Sequence, residues 1–222
     1  MGVAENIREI KQELPEGITL VAVSKFHPAE MIAEAYAAGQ TCFGESRVQE
    51  LAQKVPVLPV EIRWHFIGHL QTNKVRQLLR LRPAMIESID TERLLRAVDA
   101  EAERQGLTAR VLMQLHVAAE ETKFGFSPDE LLDFFRGRGY ESLRATHICG
   151  VMGMASNTDD EARVREDFAR IHATFDAIRS LCPDLRGFDI VSMGMSHDYH
   201  LAIAEGTTMV RVGTAIFGDR QY

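Results

Sequence analysis

A lysine directly follows a run of apolar residues near the start of the chain. The segment LVAVSK, residues 20–25, has the composition of a buried strand and ends in an ammonium group at Lys25. A lysine surrounded by apolar side chains loses stability in its charged form, so its pKa falls and the neutral amine can attack a carbonyl to form a Schiff base. The alternative is a lysine that extends from the strand end into solvent. The segment alone is compatible with both interpretations.

Two turns near the end of the chain are typical of phosphate-binding turns. In SMGMSHD, residues 192–198, small residues separate a strand-like run from a helical one, and Ser196 occupies the expected N-cap position. In RVGTAIFG, residues 211–218, Gly213 and Thr214 occupy the equivalent place. Ordinary turn and cap chemistry would use the same residue types. Arg211 lies within the last strand-like run, where a buried arginine needs a partner, and it could contact a phosphate or a ring nitrogen.

Short apolar runs alternate with helical patterns along the chain. We predict eight strands, at residues 19–24, 41–44, 63–68, 85–89, 110–117, 147–153, 188–194 and 208–213. Helical patterns lie near residues 3–14, 28–38, 46–54, 71–80, 91–105, 128–137, 159–180 and 196–205. This alternation indicates an α/β protein whose parallel sheet is either closed or doubly wound. Because the first turn, SKFHP, lacks the glycines of a doubly wound sheet, we predict one domain, residues 1–222, forming a (β/α)8 TIM-like barrel with an N-terminal helix.

Barrel closure would bring the reactive groups together. In a (β/α)8 barrel, chemistry sits at the C-terminal ends of the strands, and strand eight pairs with strand one. Lys25 would then lie beside the turns at residues 192–198 and 211–218, and the last two βα turns of such barrels commonly bind phosphate. A small ring that carries both an aldehyde and a phosphate would bridge these groups. Pyridoxal 5′-phosphate (PLP) has this combination.

The sequence also resembles a known family. The segments VAVSK, FGESRVQE, WHFIGHLQTNKVR, ETKFGF, ICGVMGMAS and SMGMSHDYHLAIAEGTTMVRVGTAIFG are similar to those of the pyridoxal phosphate homeostasis protein family, over about residues 5–218. The resemblance implies a fold-type III PLP barrel, related to alanine racemase, with PLP on Lys25. It further implies phosphate contacts from Ser192, Ser196, Gly213 and Thr214, with Arg211 near the ring or the phosphate. Members of this family are regarded as non-catalytic PLP carriers or regulators that affect amino-acid and keto-acid balance.

Several residues near the expected cofactor site depart from the family pattern. Phe26 and His27 stand where SKTKP is common, Ser46 replaces a frequent Asn, and Arg47 replaces a common Tyr. His69 stands where Pro is frequent, and His197 where an acidic residue is usual. Lys123 is expected at the same end of the barrel. The resemblance makes Lys123 a candidate for a part in PLP loading or release, and the departures at His27, His69 and His197 leave open whether these residues also take part in the exchange of PLP.

The family resemblance leaves a choice between a carrier and an enzyme. A PLP-dependent racemase needs a proton donor on each face of the substrate. Racemases of this fold have a second, β-rich domain, and a tyrosine from a partner subunit serves one of the two faces. We expect no room for that domain in 222 residues, and neither Tyr36 nor Tyr199 is well placed as a substitute. Our first hypothesis is therefore a PLP carrier without catalytic residues. A small amino-acid racemase is the alternative, and a third is a phosphate-binding barrel that uses Lys25 as an aldolase does.

Composition limits the partners and the compartment. With 25 Lys and Arg against 32 Asp and Glu, the net charge of −7 argues against nonspecific binding to nucleic acid or to an anionic membrane. The first residues lack the apolar segment of a signal peptide. Cys42, Cys149 and Cys182 have no metal-like spacing and are expected to be buried thiols in the cytoplasm. We expect no metal, a monomer, and PLP-dependent apo-enzymes as recipients of the cofactor.

Overall fold

The eight predicted strands close into one parallel barrel. The structure is a computed structural model that describes residues 2–118 and 124–218, and its strands pair in chain order with β8 returning to β1. The strands are β1 Thr19–Val23, β2 Cys42–Glu45, β3 Arg63–Phe66, β4 Met85–Ile89, β5 Ala109–His116, β6 Thr146–Met154, β7 Ile190–Ser192 and β8 Met209–Val212. The prediction of a (β/α)8 barrel is therefore confirmed.

One helix, α1 Val3–Glu13, precedes β1, and the other helices follow the strands and pack around the barrel. These are α2 Ala29–Ala37, α3 Val48–Lys54, α4 Val75–Arg80, α5 Glu92–Gln105, α6 Pro128–Arg136, α7 Glu161–Leu181, α8 Tyr199–Ala204 and α9 Thr214–Phe217. Their apolar faces pack against the outward side chains of the strands, as in α7, where an apolar stripe from Val164 to Ile178, at spacings of three and four residues, is buried. Among the described residues, no helix is both long enough and apolar enough to cross a membrane.

Local capping explains where several helices begin. Thr91 accepts a hydrogen bond from the Leu94 N–H at the start of α5, at 3.2 Å. Ser127 and Glu130 form a reciprocal capping box before α6, so the helix starts at Pro128 as its composition predicts. Such caps satisfy backbone N–H groups that have no partner within the helix.

Side chains alternate between the inside of the barrel and the helix-facing side. In β1, Val21 belongs to a small inner cluster with Cys42 and Met209, and Val23, two residues later, faces the same interior. The register pairs Val21 with Arg211 and Ala22 with Val212, which fixes the height of β8 against β1. All three cysteines are buried free thiols, as the sequence predicted.

Candidate functional site

A cavity opens at the C-terminal end of the barrel, and we call it the mouth cavity. Its volume is about 260 Å³. It combines an amine, a guanidinium, hydroxyl groups and apolar thioethers, and its walls come mainly from the turns that follow the strands. The lining residues are Val23, Lys25, His27, Ser46, Ile67, Met152, Met154, Met195, Ser196, His197, Arg211, Gly213 and Thr214.

Lys25 and the last turn lie on opposite sides of the seam between β1 and β8. Lys25 is half-buried and comes two residues after β1 ends at Val23. Across the seam, a Cβ at Gly213 would lie 3.3 Å from both the Cβ and the carbonyl oxygen of Val23, so this position has little room for a side chain. Both Lys25 and Thr214 line the mouth cavity. Barrel closure therefore brings the predicted amine and the predicted glycine turn into one cavity.

Ser196 reaches the cavity, but the prediction that it is the N-cap of the following helix is wrong. The helix α8 begins later, at Tyr199, with Asp198 in the N-cap position. The Ser196 hydroxyl instead accepts hydrogen bonds from the N–H groups of Gly213 and Ala215, at 3.1 and 3.4 Å. Ser196 thus joins the two predicted phosphate turns to each other.

Arg211 lies in the floor of the cavity and is 4% exposed. Its Nη1 donates to the Ser192 hydroxyl at 2.6 Å, and its Nη2 donates to the Gly153 carbonyl at 2.9 Å. Burial lowers the pKa of Arg211, although the charge of Glu87 opposes this effect. An arginine keeps its charge in proteins, so a fixed cation faces the cavity from below.

Ser192 does not line the mouth cavity, contrary to what a direct phosphate contact would require. It is fully buried in β7, where its hydroxyl donates to Glu87 Oε2 at 2.6 Å and accepts from Arg211. The hydroxyl has a single proton, which it donates in the hydrogen bond to Glu87, so its contact with Arg211 is one in which it accepts. Ser192 is therefore placed to hold Arg211. Its predicted part in binding a phosphate stays a prediction.

Glu87 is a site residue that the sequence analysis missed. Its two carboxylate oxygens contact different strands: Oε1 lies 2.6 Å from His65 Nδ1, and Oε2 accepts from Ser192 and lies 3.9 Å from Arg211 Nη1. We call His65, Glu87, Ser192 and Arg211 the buried charge chain. It crosses the barrel interior from β3 to β8 beneath the mouth cavity.

The buried charge chain carries a net positive charge. Burial lowers the pKa of His65, but its neighbours Cys42 and Glu87 outweigh this effect and raise the pKa to about 9. Burial raises the pKa of Glu87, yet its contacts with His65, Arg211 and Ser192 hold it below the usual range. At neutral pH the chain therefore contains two cations and one carboxylate. The contact between His65 Nδ1 and Glu87 Oε1, at 2.6 Å, holds the imidazole ring on the side of Glu87.

The rim residues that depart from the family pattern have different positions. His27 and His197 line the mouth cavity, and the His27 ring stacks on Phe217 with centroids 5.0 Å apart. His69 is not among the lining residues: its Nδ1 lies 2.7 Å from Asp90, and its ring stacks on Phe124. Lys123 lies outside the described residues, so its predicted part stays a prediction.

Neither Tyr36 nor Tyr199, the two tyrosines considered as proton donors, lines the mouth cavity. Tyr199 donates its hydroxyl to Glu13 of α1, and burial, followed by this contact, raises its pKa to about 12. Tyr36 lies on α2 and packs against the main hydrophobic core. No group of three or more His, Cys, Asp or Glu side chains in residues 2–118 and 124–218 could hold a metal ion.

The donor set of the cavity fits PLP. An aldehyde needs an amine, which Lys25 supplies, and a phosphate needs hydroxyl and backbone N–H donors, which Ser196, Gly213 and Thr214 can provide. The thioether side chains of Met152, Met154 and Met195 are soft enough to pack against an aromatic ring.

Comparison with known proteins places the chain among PLP-related barrels. The alanine racemase N-terminal domain family matches residues 2–221. A pyridoxal phosphate homeostasis protein of Pasteurella multocida is 35% identical, over 100% of this chain and 99% of that protein. Its namesake from Schizosaccharomyces pombe is 38% identical, over 91% of this chain and 84% of that protein. The solved structure of PipY from Synechococcus elongatus with PLP bound is 35% identical and has a TM-score of 0.88, covering 97% of this chain and 100% of PipY.

Proposed function

The chain belongs to the pyridoxal phosphate homeostasis protein family, and we propose that it binds PLP in the mouth cavity, covalently through Lys25. In this role it carries PLP in the cytoplasm, delivers it to PLP-dependent apo-enzymes, and so influences amino-acid and keto-acid balance. One observation carries the proposal. Lys25 from the end of β1 and the Gly213–Thr214 turn from the end of β8 line the same cavity of about 260 Å³.

Each predicted residue has a defined task in this proposal. The Lys25 amine holds the aldehyde carbon, and Ser196, with the turn at Gly213 and Thr214, holds the phosphate. Arg211 lies in the cavity floor, held by Ser192 and by the Gly153 carbonyl, and presents its remaining N–H donors to the ring. Backbone and hydroxyl donors to a phosphate are charge-assisted hydrogen bonds, which are stronger than bonds between neutral groups.

The same residues favour a carrier over a catalyst. Bound PLP acts as an electron sink for amino-acid substrates, and it does so best when its ring nitrogen is protonated. Arg211 has only donors, so facing that nitrogen it would oppose protonation there and weaken the sink. A racemase would also need a second proton donor. Among the described residues no tyrosine lines the cavity, so that task would fall to His27 or His197.

Covalent mapping tests the binding proposal. Purified protein is incubated with PLP, reduced with borohydride and digested, and the modified peptide is identified by mass spectrometry. We expect the label on Lys25, and we expect the Lys25→Ala variant to lose the yellow absorption band. Lys11→Ala is the matched control, because Lys11 lies on α1, outside the mouth cavity, and donates to Gly39. A band that persists in Lys25→Ala would contradict the proposal.

Hydrogen exchange separates the carrier from the racemase. PLP-loaded protein is incubated with L-alanine in deuterated water, and both exchange of the α-proton and formation of D-alanine are followed. A carrier leaves the α-proton in place. Exchange that requires Lys25 and is lost in His27→Ala or His197→Ala would instead establish the racemase.

A further inference from the structure

The backbone that carries Lys25 has a conformation that is unusual for its sequence. Residues 24–27 form a tight turn, here called the lysine turn, in which the His27 N–H donates to the Ser24 carbonyl at 3.1 Å. Phe26, the third residue of the turn, has a φ of +68°. This left-handed conformation is usually taken by Gly or Asn, since the side chain of other L-residues makes it costly. The surrounding structure must therefore hold Phe26 in place.

Two residues of α3 hold the lysine turn on both sides of Lys25. Glu50 Oε1 accepts a hydrogen bond from the Phe26 N–H at 2.6 Å. Lys54, one helical turn later, donates through Nζ to the Ser24 carbonyl at 2.9 Å and to Glu50 Oε1 at 2.6 Å. The Glu50–Lys54 ion pair, on one face of α3, therefore binds the backbone of the residues before and after Lys25.

This ion pair is built into the protein rather than exposed on its surface. The Lys54 side chain is 8% exposed and the Glu50 side chain 18%. Lys54 Nζ also contacts the fully buried Glu45 at 2.7 Å, and Ser24 Oγ donates to the same Glu45 oxygen at 2.6 Å. A buried lysine with three oxygen partners is held in one geometry, unlike a surface pair that gains little from its contact.

A third residue covers the turn from outside. The Arg47 guanidinium carbon lies 4.8 Å from the centroid of the Phe26 ring, a cation–π contact. A bulky residue with positive φ and the cation that packs on it therefore occur together in this chain.

We propose that Glu50, oriented by Lys54, is a positioning residue that fixes Phe26 in its left-handed conformation and thereby directs Lys25 into the mouth cavity. This proposal rests on the proposed function, because it concerns the retention of PLP. Without the acceptor at Glu50, the turn relaxes toward a conformation in which Lys25 no longer faces its ligand. The apparent dissociation constant rises in inverse proportion to the fraction of molecules with the turn in place.

The test uses glycine to remove the need for Glu50. If Glu50→Ala leaves about a tenth of the molecules with the turn in place, the dissociation constant for PLP rises about tenfold. Glycine adopts positive φ without strain, so Phe26→Gly should make Glu50 dispensable. We expect the double variant to bind PLP within about threefold of Phe26→Gly alone. Affinity is measured by titration of the yellow band, and thermal unfolding is recorded for every variant.

Two outcomes would overturn the proposal: unchanged PLP affinity in Glu50→Ala, or a loss of affinity that Phe26→Gly does not reduce. If Glu50→Ala does not fold, Glu50→Gln replaces it, with a smaller expected loss and the same rescue, because glutamine keeps an acceptor oxygen. Asp133→Ala is the matched control, since it breaks the exposed ion pair with Arg136 on α6.

Borohydride mapping of the unsubstituted protein is run in parallel. A label absent from Lys25 rejects the proposed function, whereas a label on Lys25 with unchanged Glu50→Ala affinity rejects only the role of Glu50.

Discussion

Replacing Glu87 by glutamine removes the only carboxylate of the buried charge chain and keeps nearly the same volume. In the unsubstituted protein, Glu87 and Cys42 raise the pKa of His65 to about 9 against the effect of burial. When both Glu87 and Cys42 are replaced, burial is the remaining influence on the pKa of His65, and the imidazole becomes neutral in the folded state at neutral pH. The variant should therefore lose a pH dependence of stability that the unsubstituted protein has.

The sign and size of that dependence follow from the two states of His65. The folded state holds the proton up to about pH 9, whereas the unfolded chain releases it near its ordinary pKa of 6.5. The stabilisation is complete below pH 6.5 and is lost as the pH rises through about 9. At about 1.4 kcal/mol per pH unit, the interval between the pKa of 6.5 in the unfolded chain and the pKa of about 9 in the folded state corresponds to a stabilisation of at most about 3 kcal/mol. Glu87 itself titrates far below this window and contributes no slope there.

Cys42 needs a separate control because it also titrates in this range. Burial raises the pKa of its thiol, but His65 and Arg63 outweigh burial and lower it overall. A lowered pKa gives stabilisation that grows with pH, which opposes the His65 effect. The comparison is therefore made in a Cys42→Ala background, where the slope belongs to His65 and its size lies below the upper value of about 3 kcal/mol, because the contribution of Cys42 to the raised pKa of His65 is gone.

Urea unfolding between pH 6 and 9.5, without added PLP, measures the effect. We expect the free energy of unfolding to fall with rising pH when Glu87 is present and to be nearly flat in Glu87→Gln. Glu87→Gln should also cost about 3–5 kcal/mol at pH 6.5, because it breaks a buried ion pair and leaves Arg211 without its counter-charge. Glu92→Gln, in an exposed pair with Arg96, should follow its parent at every pH. An equal slope with and without Glu87 would refute the pairing.

Three further substitutions test other parts of the site and the fold. Ser196→Ala should weaken PLP binding by about 1–3 kcal/mol, measured by titration of the yellow band, because it removes a hydroxyl from the phosphate turns; unchanged affinity would contradict that role. Ser192→Ala should lower the free energy of urea unfolding by about 1–3 kcal/mol, since Glu87 and Arg211 each lose one buried hydrogen-bond partner; a wild-type unfolding curve would argue against the buried charge chain. Thr91→Ala should cost about 1 kcal/mol of stability, measured in the same way, through loss of the α5 cap, and should leave PLP affinity unchanged.

The sequence predicted the barrel and most of the mouth cavity because both depend on strand ends. Alternating apolar runs and helical patterns locate the ends of β1 and β8, and closure of the barrel follows from topology. Lys25, Arg211, Gly213 and Thr214 were identified as residues within or just after those strands, and all four line the cavity. Residues at this end of a barrel face one place even when they are far apart in the chain.

The interior contacts could not be read in the same way. Glu87 and Ser192 form a hydrogen bond although they lie 105 residues apart in the sequence. The residues around Glu87, MIESI, do not indicate which side chain is its partner. The alternation of side chains in β7 puts Ser192 on the same face as Ile190, inside the barrel. This pattern is a signal in the sequence that Ser192 lies below the mouth cavity. The lysine turn was also missed, because the positive φ of Phe26 is set by α3 and not by its own residue type.

The charges around the cavity bear on whether it holds a ligand or transforms it. His65 and Arg211 place two cations beneath the cavity, and both are fixed by partners inside the barrel. A fixed cation that can only donate hydrogen bonds attracts an anionic ligand but has no proton to release at neutral pH. Catalysis on an amino acid needs groups that both take and give protons near the reacting carbon. If PLP binds as proposed, the geometry of Arg211, set from below by Ser192 and Glu87, favours its retention over turnover, and a reaction would proceed through Lys25 together with His27 or His197.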